Sequence, residues 1–108
     1  MTKNRDYSVH NWHGELPPTE SEVQQFLGQQ SLVGYRWSNA PGDVYGAHSH
    51  PFHKIIFVLQ GSITFILPDV EREVTLGTGD RLELAAGVVH EAVVGQQGVI
   101  CIEAHRSK

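Results

Sequence analysis

Cysteine is almost missing from this chain. Cys101 is the only one, so no intrachain disulfide can form, and a reducing, cytoplasmic setting is expected. Long apolar runs are missing as well. No stretch approaches the roughly 20 residues needed to span a bilayer, and the opening MTKNRDYSVHNWHG has no apolar core of a secretory signal. Basic charge is scarce: 8 Lys and Arg stand against 12 Asp and Glu, a net charge of -4. No basic run stands out, which argues against nucleic acid or an anionic membrane as partner. No glycine-rich loop opens a helix, since Gly77-Thr78-Gly79 joins two predicted strands, so the phosphate-cradling nucleotide folds are excluded. Ser49 has no strand-to-helix elbow to make it a hydrolase nucleophile. With 108 residues there is material for one core and not two.

What is present is a helix signal followed by a long series of strand signals. In TESEVQQFLGQQ, Thr19 followed three residues later by Glu22 reads as a capping box, and Val23, Phe26 and Leu27 share one helical face. Residues 1–17 read as polar and irregular. The division that follows is an arm with a short helix over 1–30 and a barrel over 31–108. The small apolar face of the helix needs a surface to bury against, either the barrel or a second subunit. That need, with the edge strands of an open sheet, points to a homodimer. From Leu32 onward, strands are predicted at 32–38, 43–49, 54–60, 62–67, 70–76, 80–84, 88–94 and 98–105. Turn formers separate them: Pro41-Gly42, Gly61, Pro68-Asp69, Gly77-Thr78-Gly79, Gly87 and Gly95. Short strands at this spacing predict an all-β antiparallel sandwich or barrel.

Seven histidines is a high number for this length. His48 and His50 lie one residue apart before a β-branched run, so they project from one face of a strand. His90 arrives on a later strand. Imidazoles from separate strands of a barrel can hold a divalent ion and leave positions open for a ligand. Cys101, Glu103 and His105 alternate on the last strand and read as a half-exposed face. Tyr35, Trp37, Phe57 and Phe65 read as core or interface aromatics, and Arg36 and Tyr45 as residues that parity alone cannot place. His10, His13 and His105 receive no role.

Two segments resemble the motifs of the cupin superfamily, small jelly-roll β-barrels. Gly42, five residues, His48-Ser49-His50, three residues, position 54, six residues and Gly61 follow the first motif. Gly79, Gly87 and His90 follow the second, with Ala85 in place of its proline and Val94 in place of its asparagine. The resemblance covers about residues 31–105 and implies a double-stranded β-helix barrel with a metal on His48, His50 and His90. In metal-binding cupins the position of Lys54 is a glutamate that supplies a fourth ligand. A protonated lysine has no lone pair and repels a cation. Three arrangements are open: a divalent transition metal (Fe, Ni, Mn, Cu or Zn) on the three histidines alone, His53 as a fourth ligand, or a metal-free pocket in which Lys54 binds an anionic small molecule. If position 54 faces the cavity, Ile56 and Val58 do too, while His53, Ile55 and Phe57 face away. A buried Lys54 needs a partner, either Asp or Glu from another strand or a substrate carboxylate. The resemblance implies a three-histidine metal-dependent oxygenase or isomerase acting on a small polar molecule, with Lys54 as the catalytic side chain. The alternative is a non-catalytic cupin that binds an anion or a sugar.

Overall fold

β-Branched and aromatic residues fit a pleated, half-buried surface, and runs such as KIIFVL and VICIEA form the long strands of this protein. The computed structural model describes residues 5–107. Its elements are β1 (Tyr7–His10), α1 (Glu20–Gly28), β2 (Tyr35–Asn39), β3 (Val44–His48), β4 (His53–Leu67), a 3-10 turn (Pro68–Val70), β5 (Arg72–Leu76), β6 (Arg81–Leu84) and β7 (His90–Arg106).

The fold is the expected all-β antiparallel barrel, with two differences in how its strands are cut. Residues 54–60 and 62–67 are halves of one strand, β4, and 88–94 and 98–105 belong largely to one strand, β7. Gly61 and Gly95, read as turns, lie inside β4 and β7 and do not end them. Gly61 and Gly98 have φ of +82° and +75°, and the ladder between β4 and β7 shifts register on both sides of Gly61. A left-handed glycine looks the same in sequence whether it closes a hairpin or makes a bulge. The third difference is β1, a strand inside a stretch read as irregular. Its residues pair with β6, from Tyr7 opposite Leu84 to His10 opposite Arg81.

The bends let β4 and β7 pair with different strands along their length within one seven-stranded sheet. The order is β1-β6-β4-β7-β2, with β3 also on β7 and β5 also on β4. The first half of β4 pairs with β6 and its second half with β5. The first part of β7 pairs with β3 and its last part with β2. Side chains alternate as the parity argument requires. Ile56, Val58, Ile63 and Phe65 fill the barrel, and Ile55 and Phe57 point outward into a second cluster with Val23, Leu27, Ile102 and Ala104.

That outer cluster is where α1 sits. Thr19 closes the capping box: the Glu22 amide donates to Thr19 Oγ1 (3.1 Å) and the Thr19 amide donates to Glu22 Oε1 (3.0 Å). Gln24 ties the helix to the chain ahead of β2 through two hydrogen bonds with the Gly34 backbone. Val23 and Leu27 are fully buried on the outside of the barrel, so this face calls for no second subunit. Thr19→Ala should cost about 1 kcal/mol by removing the cap, read as a lower midpoint in denaturant unfolding with unchanged slope.

Candidate metal centre

β3 and β7 bring the three histidines together. His48 ends β3, His90 begins β7, and the two are direct cross-strand partners. His50 follows two residues after His48. One ligand nitrogen from each of His48, His50 and His90 lies within 4.8 Å of the others.

Their hydrogen bonds fix which nitrogen carries the proton. His48 Nδ1 lies 2.7 Å from the Gly46 carbonyl and His90 Nδ1 lies 3.0 Å from that of Val88. Carbonyls only accept, so both Nδ1 atoms donate, and each neutral ring keeps its lone pair on Nε2. His50 Nε2 lies 3.4 Å from Lys54 Nζ, and an ammonium only donates, so this Nε2 also accepts. Burial holds His90 neutral, with its pKa pushed down to about 4. Burial, and then the Lys54 charge, lowers that of His50. His90 Nε2 is buried and has no hydrogen-bond partner. Three converging imidazoles, two of them oriented by backbone carbonyls, form a donor set that fits a divalent transition metal.

Lys54 enters the same cavity from β4. Its side chain is 12% exposed, and Nζ lies 3.5 Å from Glu103 Oε2. Glu103 is the partner that a buried Lys54 requires, and it corrects the reading of Cys101, Glu103 and His105 as a half-exposed face. Cys101 is fully buried, with its thiol pKa pushed up to about 12 by burial and the nearby Glu103. Glu103 is 4% exposed. The Tyr35 hydroxyl (2.6 Å) and His105 Nε2 (2.6 Å) bond to Glu103 Oε2, and the Trp37 indole N–H donates to Oε1 (3.0 Å). Burial pushes the Glu103 pKa up, but Tyr35, Lys54 and His105 outweigh it and the carboxylate lies below its ordinary range. Tyr35 is shifted upward by burial and by its bond to Glu103, so it stays a donor.

Tyr35, Trp37 and His105 therefore line a site, where the sequence suggested packing or no role. The signal lay in VICIEA, where one acid interrupts an apolar run, and in HKIIFVL, where one lysine leads another. His53 stands apart from the trio, with Nε2 bonded to Glu83 Oε1 on β6 at 2.9 Å. Tyr45 lines the cavity and bonds to Asn39, and Arg36 pairs with Glu20 of α1. The cavity measures about 440 Å³, within the range of small-molecule sites.

A family model described as "Cupin domain" matches residues 35–102. The chain belongs to the cupin family. Among solved structures, this cupin is similar to an RmlC-like cupin from Shewanella frigidimarina at 21% identity and TM-score 0.61, over 71% of this chain and 67% of that one. It is similar to the polyketide cyclase RemF from Streptomyces resistomycificus at 26% identity and TM-score 0.63, over 71% and 55% of the two chains. A third similar structure is the DMSP lyase DddQ from Ruegeria pomeroyi, at 25% identity and TM-score 0.63, over 69% and 38%. The chain thus spans about half of the cyclase and less than half of the lyase. No curated protein matches this cupin at a significant level. Among the described residues, no helix is long and apolar enough to cross a membrane.

Proposed function

We propose that this cupin is a metal-dependent enzyme that moves a proton on a small molecule, in an isomerisation, elimination or ring closure. His48, His50 and His90 would hold a divalent transition metal. The observation that carries the reading is the buried His90 Nε2, without a hydrogen-bond partner among the described residues, at the meeting point of three imidazoles. When bound, the ion supplies Lewis acidity to a coordinated oxygen. The protein's own residues supply the rest. Glu103, already taken up by Tyr35, Trp37 and His105, stays ionised and anchors Lys54. Lys54 is then the donor with hydrogen bonds to spare beside the imidazoles, and it would hold a substrate oxygen as charge builds on it. Neighbours named as a cyclase and a lyase support proton-moving chemistry over oxygen insertion.

A second reading has its own support. Lys54 Nζ already shares the His50 Nε2 lone pair, which suits a metal-free cupin that only binds its ligand. Elemental analysis of the wild type, His90→Ala and Lys54→Met separates the two. About one metal per chain, lost in His90→Ala and kept in Lys54→Met, is expected. Lys54→Met should also bind the ion several-fold tighter, because it removes a like charge from beside the imidazoles that would hold it. A wild type that takes up no metal after reconstitution would leave the binding-protein reading standing.

A further inference from the structure

We propose that the ligand of this cavity is a flat molecule carrying a single acidic oxygen, of the phenol or enol class, and is not a phosphate, a polycarboxylate or a sugar. This rests on the reading above only in taking the cavity beside the imidazoles as the ligand site.

The first argument is charge. Lys54 is the one lysine or arginine among the residues that line the cavity, and it is paired with Glu103. The wall therefore offers no second lysine or arginine to a second or third anionic oxygen, and burying an unpaired charge is costly. Arg81, whose charge would suit a phosphate, is bonded to Glu83 and lies over Phe26 and Phe57 on the outer face of the barrel.

The second argument is the supply of hydrogen bonds. The Tyr35 hydroxyl and the Trp37 N–H both end on Glu103, and the Tyr45 hydroxyl ends on Asn39. A sugar would bring several hydroxyls to a wall whose Tyr35, Trp37 and Tyr45 donors are already in use, and each one left unpaired would weigh against binding. One oxygen, in contrast, can be met by Lys54 beside the imidazoles.

The third argument is shape. Five of the chain's nine aromatic residues (2 Trp, 3 Tyr and 4 Phe) line this one cavity: Tyr35, Trp37, Tyr45, Phe52 and Phe65. At its mouth, flat rings already stack on one another. Phe52 lies 19° from the plane of His50 with centroids 4.9 Å apart, and 28° from that of His105 at 4.0 Å. Ring-lined walls held in place by hydrogen bonds favour a planar guest over a puckered one of equal size.

The test is calorimetric titration with 2-naphthol, its saturated counterpart decahydro-2-naphthol, glucose and inorganic phosphate. Each is titrated into chelator-treated and into Zn(II)-reconstituted protein, with zinc content measured in parallel. The expected result in the chelator-treated protein is 2-naphthol binding at least tenfold tighter than decahydro-2-naphthol, with no measurable heat from glucose or phosphate. Phe52→Ala, a change at the mouth, should weaken 2-naphthol several-fold. Equal affinity for the flat and saturated alcohols would overturn the proposal, as would tighter binding of glucose or phosphate. Zinc uptake without preference for 2-naphthol would sink this inference and leave the metal reading intact. The preference without zinc uptake would do the reverse.

Discussion

Glu103→Leu should destabilise this cupin by about 3–5 kcal/mol, the usual result of removing one partner from a buried ion pair. Four groups lose their acceptor at once: the Lys54 ammonium, the Trp37 indole N–H, the Tyr35 hydroxyl and His105 Nε2. Against a total stability of roughly 5–15 kcal/mol for a domain of this kind, that is a large share. Lys54→Met should cost clearly less, because the carboxylate it leaves behind keeps its bonds from Tyr35, Trp37 and His105. In the double variant much of the Glu103→Leu loss should return, since an apolar pair removes the stranded charge. Urea unfolding of the four proteins completes the cycle. A Glu103→Leu cost below about 1 kcal/mol, typical of exposed pairs, would mean that the carboxylate is solvated and anchors nothing.

The second large effect is at the corner of the barrel. A Cβ on Gly61 would lie 2.0 Å from the Gly98 carbonyl oxygen and 2.8 Å from its carbon, and φ there is +82°. Both obstacles are backbone, so no side-chain rotation relieves them. Gly61→Ala should therefore lose roughly 4 kcal/mol or more, in the exceptional class of single substitutions, and give little folded protein. Gly77→Ala is the control. Its Cβ would meet nothing closer than Asp80 Oδ2 at 4.0 Å, and its N–H bond to that oxygen survives. Near-normal stability in Gly77→Ala beside collapse in Gly61→Ala would assign the effect to the close approach. A thermal unfolding midpoint unchanged by Gly61→Ala would refute it.

These two sites also mark where the sequence could be read and where it could not. The alternation in KIIFVL predicted correctly that Ile56 and Val58 turn inward and Ile55 and Phe57 outward, because period two is a local property of a strand. The clustering of His48, His50 and His90 was legible from their spacing, although only His48 and His90 lie in strands and His50 sits just beyond the end of β3 instead of on a shared strand face. Glu103 was not, because its meaning depends on two other strands. Tyr35 and Trp37 reach it from β2 and Lys54 from β4, and nothing local reveals which strands are neighbours. Gly61 failed differently. A glycine reports that the chain turns through a left-handed angle and not whether the strand resumes. β1 escaped notice because a strand that pairs through its backbone with β6 needs no strong apolar alternation of its own.

The shared β4–β7 ladder also sets an order of events in folding. Its inner end, Ile66 opposite Glu91, closes the shortest loop, and its outer end, His53 opposite Arg106, closes the longest. Loop entropy favours closure from the inner pair outward, and such non-local pairing is intrinsically slow. The Lys54–Glu103 pair lies near the outer end, so the zipper reaches it after the barrel has largely closed. Interactions formed that late act on the rate of opening more than on the rate of closing. The charged pair at the cavity wall is thus a latch against unfolding.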